Sequence, residues 1–504
     1  MGLKSVLAKL YAHQVVKKNQ KWIQNPLAAQ QTTFKQLVSQ AAHTQFGKDH
    51  NFNHITDYHT FKKNVPLRNY EQFKPYIDRI MNGEYNVLWK GRPLYFAKTS
   101  GTTSGVKYIP ISKESMPYHI TGAKHALLHY IYETGRADFV EGKMIFLQGS
   151  PVLKQVGGIK TGRLSGIAAH YVPRYLQKNR LPSWETNIIE DWETKVQAIV
   201  DETVNEDMRL ISGIPSWVQT YFEKLIAKKG RPVGDIFPHF NLFVYGGLNF
   251  EPYRQKFNQL IGRKVDSLEL YPASEGFFAY QDKPERDDLL LLTQHGMFYE
   301  FVPVEEIFNP NPTRLSLADV ERGVQYALVL NTNAGLWGYI IGDTVMFTST
   351  KPYRLKVTGR IKHFISAFGE HVIAKEVETA IKTAIDKTGF NINEFSVAPQ
   401  INPPEGLPYH EWLVEFDQTP GNLSDFAQVI EKTMQAQNPY YKDLIKGKIL
   451  KPAVITPVKK GGFEAYMKSI GKLGGQNKLP HLSDGRKIAD ALYQMNLIET
   501  KNQL

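Results

Sequence analysis

The sequence has 504 residues, 42% of them apolar, which is enough for a large packed core and roughly two to four domains. It contains no cysteine, which excludes disulfides, thiol catalysis and cysteine-ligated zinc. Its 61 basic and 49 acidic residues leave a net charge of +12, suited to nucleic acid or to a polyphosphate substrate.

The cations are scattered, with the densest patch at Lys446 to Lys460, and neither a zinc-finger spacing nor an RNA-binding aromatic signature occurs. Nucleic acid is therefore not the expected partner. Leu3, Val6, Leu7, Leu10 and Tyr11 open the chain at helical spacing, with Lys4 and Lys9 off the stripe. Such stripes mostly face cores, so the helix is expected to dock on the domain; the rival is a membrane-surface anchor. The sequence has no run of about 18 apolar residues, no signal-peptide pattern, and Val6 where myristoylation needs a hydroxyl. A cytoplasmic protein without stable membrane association is expected.

Helices broken by loops are predicted up to about residue 95, punctuated by Pro66, Pro75 and Pro93. There follows FAKTSGTTSGVKYIPIS, Phe96 to Ser112, in which Thr99 to Gly105 are all hydroxyl residues or glycine between two apolar runs. A chain reversal needs two or three turn residues, not five hydroxyls (Thr99, Ser100, Thr102, Thr103, Ser104). Gly101 and Gly105 let the backbone approach an anion, and Lys107 adds positive charge. The spacing is one residue short of a P-loop, so a phosphate loop of another kind is the expectation, against a solvated turn.

Strand-like runs at Pro93 to Lys98, Tyr108 to Ile111, Lys143 to Gln148, Phe240 to Tyr245, Ser267 to Tyr271, Met297 to Pro303 and Gln325 to Asn331 alternate with helical patterns. The helices are Ser115 to Thr134, Thr186 to Asn205 and Pro215 to Lys229, which makes the fold α/β. A boundary is expected near Leu355, giving domains 1–355 and 356–504. The second reads as strand (Lys356 to Ser366), helix (Ala374 to Lys387), strand (Glu394 to Gln400), strand (His410 to Phe416), helix (Leu423 to Gln437), strand (Pro452 to Pro457). That β-α-β-β-α-β order is the order of a ferredoxin-like α+β unit.

Four stretches carry charge or glycine beyond what their apolar surroundings need. FVYGGLNFEPY ends a strand in Gly246-Gly247, usually a turn, but one that admits a planar ring. LELYPASEGFFAY ends a strand in Ser274-Glu275-Gly276, where a carboxylate is either surface charge or a magnesium ligand near phosphates. YIIGD places Gly342-Asp343 after an apolar run, and VTGRIKHFISAFGEHV opens the second domain with Gly359-Arg360 and turns at Gly369, a hinge pattern. His125 and His129 share a helix face at metal-binding spacing, but no third ligand accompanies them, and no G-x-S-x-G elbow occurs.

In order, TSGTTSG, YPASE, YIIGD and GRIKHFISAFGEHV resemble the motifs of the adenylate-forming superfamily. Within it the chain is similar to the auxin-responsive acyl acid amido synthetases of plants and their bacterial relatives, with NAGLWGYIIGD and QNKLP (Gln476 to Pro480) completing the likeness. The resemblance implies a large amino-terminal domain with a small mobile carboxy-terminal domain. It implies that a carboxylic acid and MgATP give an acyl adenylate, which an amine, commonly an amino acid, converts to an amide and AMP. It further implies that Ser100, Thr102 and Thr103 with their backbone N–H groups hold the phosphates, that Thr99, Gly101, Ser104 and Ser274 also belong to the nucleotide site, and that Glu275 binds magnesium. Tyr271 and Gly247 would flank adenine, Asp343 would meet the ribose with Tyr339 beside it, Arg360 would act at the hinge, and Lys478 would reach the phosphates. The sequence departs from the pattern in two places: only Val106-Lys107 follows the loop where a Glu-Arg-Lys run is usual, and YIIGD replaces YRVGD. A ligase that passes the adenylate to coenzyme A and a catalytically silent nucleotide binder are the alternatives.

Overall fold

The computed structural model describes residues 2–100, 106–172, 177–247, 250–361, 364–365, 372–418, 420–446, 449–473, 478–483 and 485–499. The chain opens with α1 (Leu3–Gln24) and α2 (Pro26–Ala41), the latter started by a proline at its first position, where no N–H is needed. Three short helices follow at Gln45–Asp49, Tyr58–Asn64 and Tyr70–Met81; the last is closed by an Asn69/Gln72 capping box. Their aromatic faces meet: Phe34 stands edge-on to Phe61 at 5.4 Å, and Phe52 to Trp337 at 4.9 Å.

The first helix docks, but not through the expected stripe. Leu3, Leu7 and Leu10 are 75%, 57% and 61% exposed, while Ser5, Ala12, Val16, Asn19 and Trp22 are buried. The buried face mixes polar Ser5 and Asn19 with apolar Ala12, Val16 and Trp22, and it packs on the next long helix, α3 (Met116–Thr134). Ser5 N–H donates to Glu141 Oε1 at 2.8 Å, and Ser5 Oγ lies within hydrogen-bond distance of the carbonyl of Ala137 at 3.1 Å and of Glu141 at 2.9 Å. Among the described residues no helix is long and apolar enough to cross a membrane.

The strands are β1 (Tyr95–Ser100), β2 (Val106–Ile111), β3 (Lys143–Phe146), β4 (Lys154–Val156), β5 (Ile159–Gly162), β6 (Arg180–Leu181), β7 (Met208–Ser212), β8 (Leu242–Gly246), β9 (Asp266–Ala273) and β10 (Gly276–Tyr280). They continue with β11 (Leu289–Leu291), β12 (Met297–Pro303), β13 (Gln325–Thr332), β14 (Tyr339–Thr350) and β15 (Tyr353–Arg360). One sheet has the order β2-β1-β5-β4; the large one runs β12-β13-β14-β15-β11-β10-β9-β8-β7-β3-β6. Its β6-β3-β7-β8-β9 half is parallel, with apolar runs such as LFVYG and crossover helices α4 (Trp192–Thr203), α5 (Pro215–Lys229) and α6 (Arg254–Ile261). From β9 the sheet turns antiparallel through β10 and β11. The expected helix Thr186 to Asn205 is broken: it forms Trp184–Asn187 and then α4, because Asp191 caps a fresh start by accepting from Thr194 N–H.

The chain divides into two compact units, Met1–Leu248 with Lys264–Val357, and Asn249–Arg263 with Thr358–Leu504. In the second unit β16 (Phe364–Ile365) pairs with β17 (Val372–Ile373), and α7 (Ala374–Thr388) leads to β18 (Ile392–Gln400), β19 (Tyr409–Phe416), α8 (Ser424–Gln437) and β20 (Lys451–Val458). The expected element order is present, with a different beginning. Lys356 to Arg360 belong to β15, which pairs with β11, and the three-stranded sheet β18-β19-β20 has β20 parallel to β19. Trp412, Val414, Ile381 and Phe426 fill this unit's core. The crossover segment between β8 and β9 is part of this unit: Lys256 pairs with Asp417 at 2.8 Å, and Tyr253 donates to Glu394 at 3.1 Å.

Candidate active site

LELYPASEGFFAY forms a hairpin in which Ala273 pairs with Gly276 and Ser274-Glu275 makes the turn. A side chain at position 276 would meet Met297 Sδ at 2.4 Å, so any larger residue there has to displace the end of the Met297 side chain where the hairpin lies against β12. Ser274 and Glu275 are half-buried at the tip.

The strand that carries YIIGD, β14, is bulged. Ala327 pairs with Thr344 and Val329 with Ile340, so Ile341, Gly342 and Asp343 together face the single residue Leu328. Gly342 takes φ +95°, open to glycine without strain. Bulges re-aim side chains. This one turns Asp343 toward β9, where its Oδ2 accepts from Tyr271 Oη at 2.7 Å. At the start of the same strand Tyr339 Oη donates to Glu275 Oε1 at 3.3 Å. Two hydrogen bonds thus bring four expected site residues together at the ends of β9 and β14. The tyrosine rings are held by packing: Tyr271 edge-on to Phe278 at 4.9 Å, Tyr339 edge-on to Phe73 at 5.6 Å. A carboxylate has about four acceptor positions, so Asp343 can hold Tyr271 and still accept from a ligand hydroxyl.

Gly246, at the end of β8, has no room for a side chain, since a Cβ would lie 2.5 Å from Leu270 O on β9. Gly247 follows with φ +82° and lies one residue beyond the last β8–β9 pair, Gly246 with Leu270, which sets it beside Tyr271. The glycine pair therefore serves the approach of the two strands at their carboxyl ends.

The hydroxyl-rich segment joins β1 to β2. Their register, Thr99 with Lys107 and Ser100 with Val106, makes it a hairpin loop, and Gly101, Thr102, Thr103, Ser104 and Gly105 lie outside the described residues. Lys107 Nζ sits 5.6 Å above the ring of Tyr70, whose hydroxyl accepts from Tyr108 N–H at 2.8 Å.

Arg360 and Lys478 are in the second unit. Arg360 is exposed and follows Gly359 at φ +146°, while Lys478 is half-buried ahead of the buried Leu479. Gln476, Asn477 and Gly369 lie outside the described residues. His481, which the sequence reading did not single out, fixes the segment after Lys478: its ring lies 2.9 Å from Glu378 and 3.2 Å from Glu394, stacked on Phe395 at 4.2 Å. Burial alone would lower its pKa, but the two carboxylates reverse this and raise it to about 10.

His125 and His129 share a hydrogen-bonding neighbour on the first helix. Asn19 Nδ2 of α1 lies 3.2 Å from a ring nitrogen of each, and burial lowers both to about 4. They fasten the first helix. Among the described residues no group of three or more metal-ligating side chains is placed to hold an ion.

Models of the GH3 family's N-terminal, central and C-terminal domains match residues 15–183, 290–360 and 375–487, together well over half of the chain. This chain belongs to the GH3 family. The GH3 chain is 23% identical to indole-3-acetic acid-amido synthetase GH3.3 of Arabidopsis thaliana, across 87% of its own length and 86% of that protein's. Its fold matches that of a GH3.15 acyl acid amido synthetase with a TM-score of 0.79 at 16% identity, over 96% of each chain. It also matches 2-hydroxyisobutyryl-CoA ligase in its postadenylation state, with a TM-score of 0.57 at 12% identity over 95% and 92% of the two chains. At these identities the structural likeness is one of fold, a large and a small unit built around mixed sheets.

Proposed function

We propose that this GH3 protein is an ATP-dependent acyl acid amido synthetase, which adenylates a carboxylic acid and transfers the acyl group to an amine, in the first instance an amino acid. The observation that carries the reading is the paired constellation Tyr271–Asp343 and Tyr339–Glu275 at the strand ends of a GH3 chain. A carboxylate is a poor electrophile, and adenylation gives it a leaving group, AMP, that departs readily.

In this reading Tyr271 and Gly247 border the adenine and Asp343 accepts from the ribose hydroxyls, with Tyr339 at the edge. Residues Thr99 to Ser104 hold the phosphates and Ser274 lies at the same end. Glu275 is the candidate magnesium ligand: a half-buried carboxylate at a turn is the hard oxygen donor that this ion takes alongside phosphates. Mg²⁺ bound there would neutralise phosphate charge. Residues 1–355 carry these sites, residues 356–504 form the closing domain with Arg360 at the hinge, and Lys478 brings a cation to the phosphates. The chain's contribution is positioning and electrostatic stabilisation. The demand for ATP suits a cytoplasmic setting.

The test is acid-dependent pyrophosphate release from MgATP across aromatic, indole and fatty acids, each with and without amino acids or coenzyme A. Release with one acid, sustained by an amino acid and yielding amide and AMP, is expected. Turnover sustained by coenzyme A alone would move the enzyme to the thioester ligases, and ATP binding without release under any condition would leave a silent binder.

A further inference from the structure

The parallel half of the large sheet has a second ligand-facing feature at its carboxyl edge, where open α/β sheets bind ligands. β3 ends at Phe146 and continues into Gln148-Gly149-Ser150. Two cations lie against this turn. Lys195, on α4, is 3% exposed, and its Nζ donates to the carbonyls of Gln148 at 3.0 Å and Asn187 at 2.6 Å. An ammonium has three donors, so one N–H remains. Arg163, after β5, is half-buried with its chain passing Gly149: a Cβ on Gly149 would lie 2.9 Å from Arg163 Cδ.

The backbone carbonyl of Arg163 accepts from Ile167 N–H at 2.9 Å, but its guanidinium makes no hydrogen bond or ion pair among the described residues. Its guanidinium is lowered by burial alone, and Lys195 is lowered to about 8 by burial and then by Arg163 itself, with no carboxylate opposing either. Beside them the side-chain amide nitrogen of Gln148 is buried without a hydrogen-bond partner. A partly desolvated guanidinium next to an ammonium and an orphaned donor is unfavourable by itself. All three groups are donors; the one orphaned acceptor on a neighbouring residue, Asn187 Oδ1, is uncharged, so what is missing is an acceptor that carries negative charge.

We propose that Arg163, with Lys195 and Gln148 around it, binds the carboxylate of a small organic acid. The planar fork of Arg163 suits a two-oxygen anion, and Gly149 leaves the guanidinium its path to it. Which acid this is rests on the amido synthetase reading: the acyl acid before adenylation, or the α-carboxylate of an amino acid acceptor.

The full chain is compared with Arg163→Gln and Arg163→Lys. Because the Arg163 guanidinium has no partner among the described residues, the Gln variant should fold and melt as the parent does, and the Lys variant keeps the charge if it does not. Three readings are taken: KM for the acid in pyrophosphate exchange, KM for the amino acid in amide formation, and the melting shift given by benzoate, indole-3-acetate and L-aspartate against their uncharged amides. Losing one charge-assisted hydrogen bond should raise the affected KM by roughly ten- to a hundredfold, with KM for ATP unchanged and partial recovery in the Lys variant. A rise confined to the acid assigns the acyl substrate, and one confined to the amino acid assigns the acceptor. Unchanged constants for both overturn the proposal. If the parent supports no exchange with any acid, the synthetase reading fails separately, and the melting shifts decide: a carboxylate-specific shift lost in Arg163→Gln upholds the anion site, and equal shifts in parent and variant overturn it.

Discussion

Single residues at the strand ends carry the proposed chemistry, and Glu275 is the one whose loss should be read most directly. It stands at a hairpin tip, half-buried, joined to Tyr339 by a long hydrogen bond. Glu275→Ala is expected to leave folding intact and to lower adenylation by roughly two to three orders of magnitude, the usual loss when one charge-stabilising group is removed. Near-normal single-turnover rates in that variant would take Glu275 out of the mechanism. His481 belongs to the same scale. Its folded-state pKa of about 10 lies above the ordinary 6.5, so its ion pairs stabilise fully below pH 6.5 and are lost as pH rises through 10. His481→Ala leaves Glu378 and Glu394 without their shared cation and should cost about 3–5 kcal/mol, measured by denaturant unfolding below neutral pH.

Among the elements, β14 shows how one glycine directs a catalytic candidate. Gly342→Ala places a Cβ at φ +95° in the bulge and is expected to cost about 1–3 kcal/mol or to straighten the strand. Either way Asp343 loses its aim at Tyr271. KM for ATP should rise more than KM for the acid, and equal effects on both would argue against a ribose role for Asp343. Much of this level was legible in the sequence. The runs Met297 to Pro303 and Pro215 to Lys229 form elements with those limits, because apolar periodicity and a starting proline are local signals. The α1 stripe misled because periodicity identifies an apolar face without naming what covers it. The buried face is made instead by Ser5, Ala12, Val16, Asn19 and Trp22, a mixture of polar and apolar side chains that leaves no clean apolar stripe. Nor could spacing tell that His125 and His129 clasp Asn19; Asn19→Ala should destabilise α1 by about 1–3 kcal/mol, seen as faster amide exchange in residues 3–24.

For the whole molecule the histidines set opposite pH limits. His119, His125 and His129 are pushed down to about 4 and His295 to about 3, in each case by burial first. They are neutral when folded, so the stability they confer is present above pH 6.5 and lost as pH falls through 4. All four are in the first unit, whereas His481, in the second, loses its contribution at alkaline pH. Melting followed by calorimetry should therefore show two transitions, the first unit's falling in acid and the second's in alkali; a single transition moving as one would mean the units unfold together. The candidate residues Tyr271, Glu275, Tyr339 and Asp343 could be picked out as an ordered set of motifs, while the pairing of Tyr271 with Asp343 could not, since it depends on a bulge that only strand register reveals.

The crossover segment Asn249–Arg263 has a consequence for how the protein is made. It packs with residues that leave the ribosome later, for Tyr253 must await Glu394 and Lys256 must await Asp417. At ~5–20 residues per second, the gap of roughly a hundred residues between Arg263 and Thr358 alone holds this segment without its partners for ~5–20 s. During that time Phe250 and Phe257, which end up buried, have no second unit to cover them. Synthesis of this chain thus includes an interval in which a chaperone has something specific to hold.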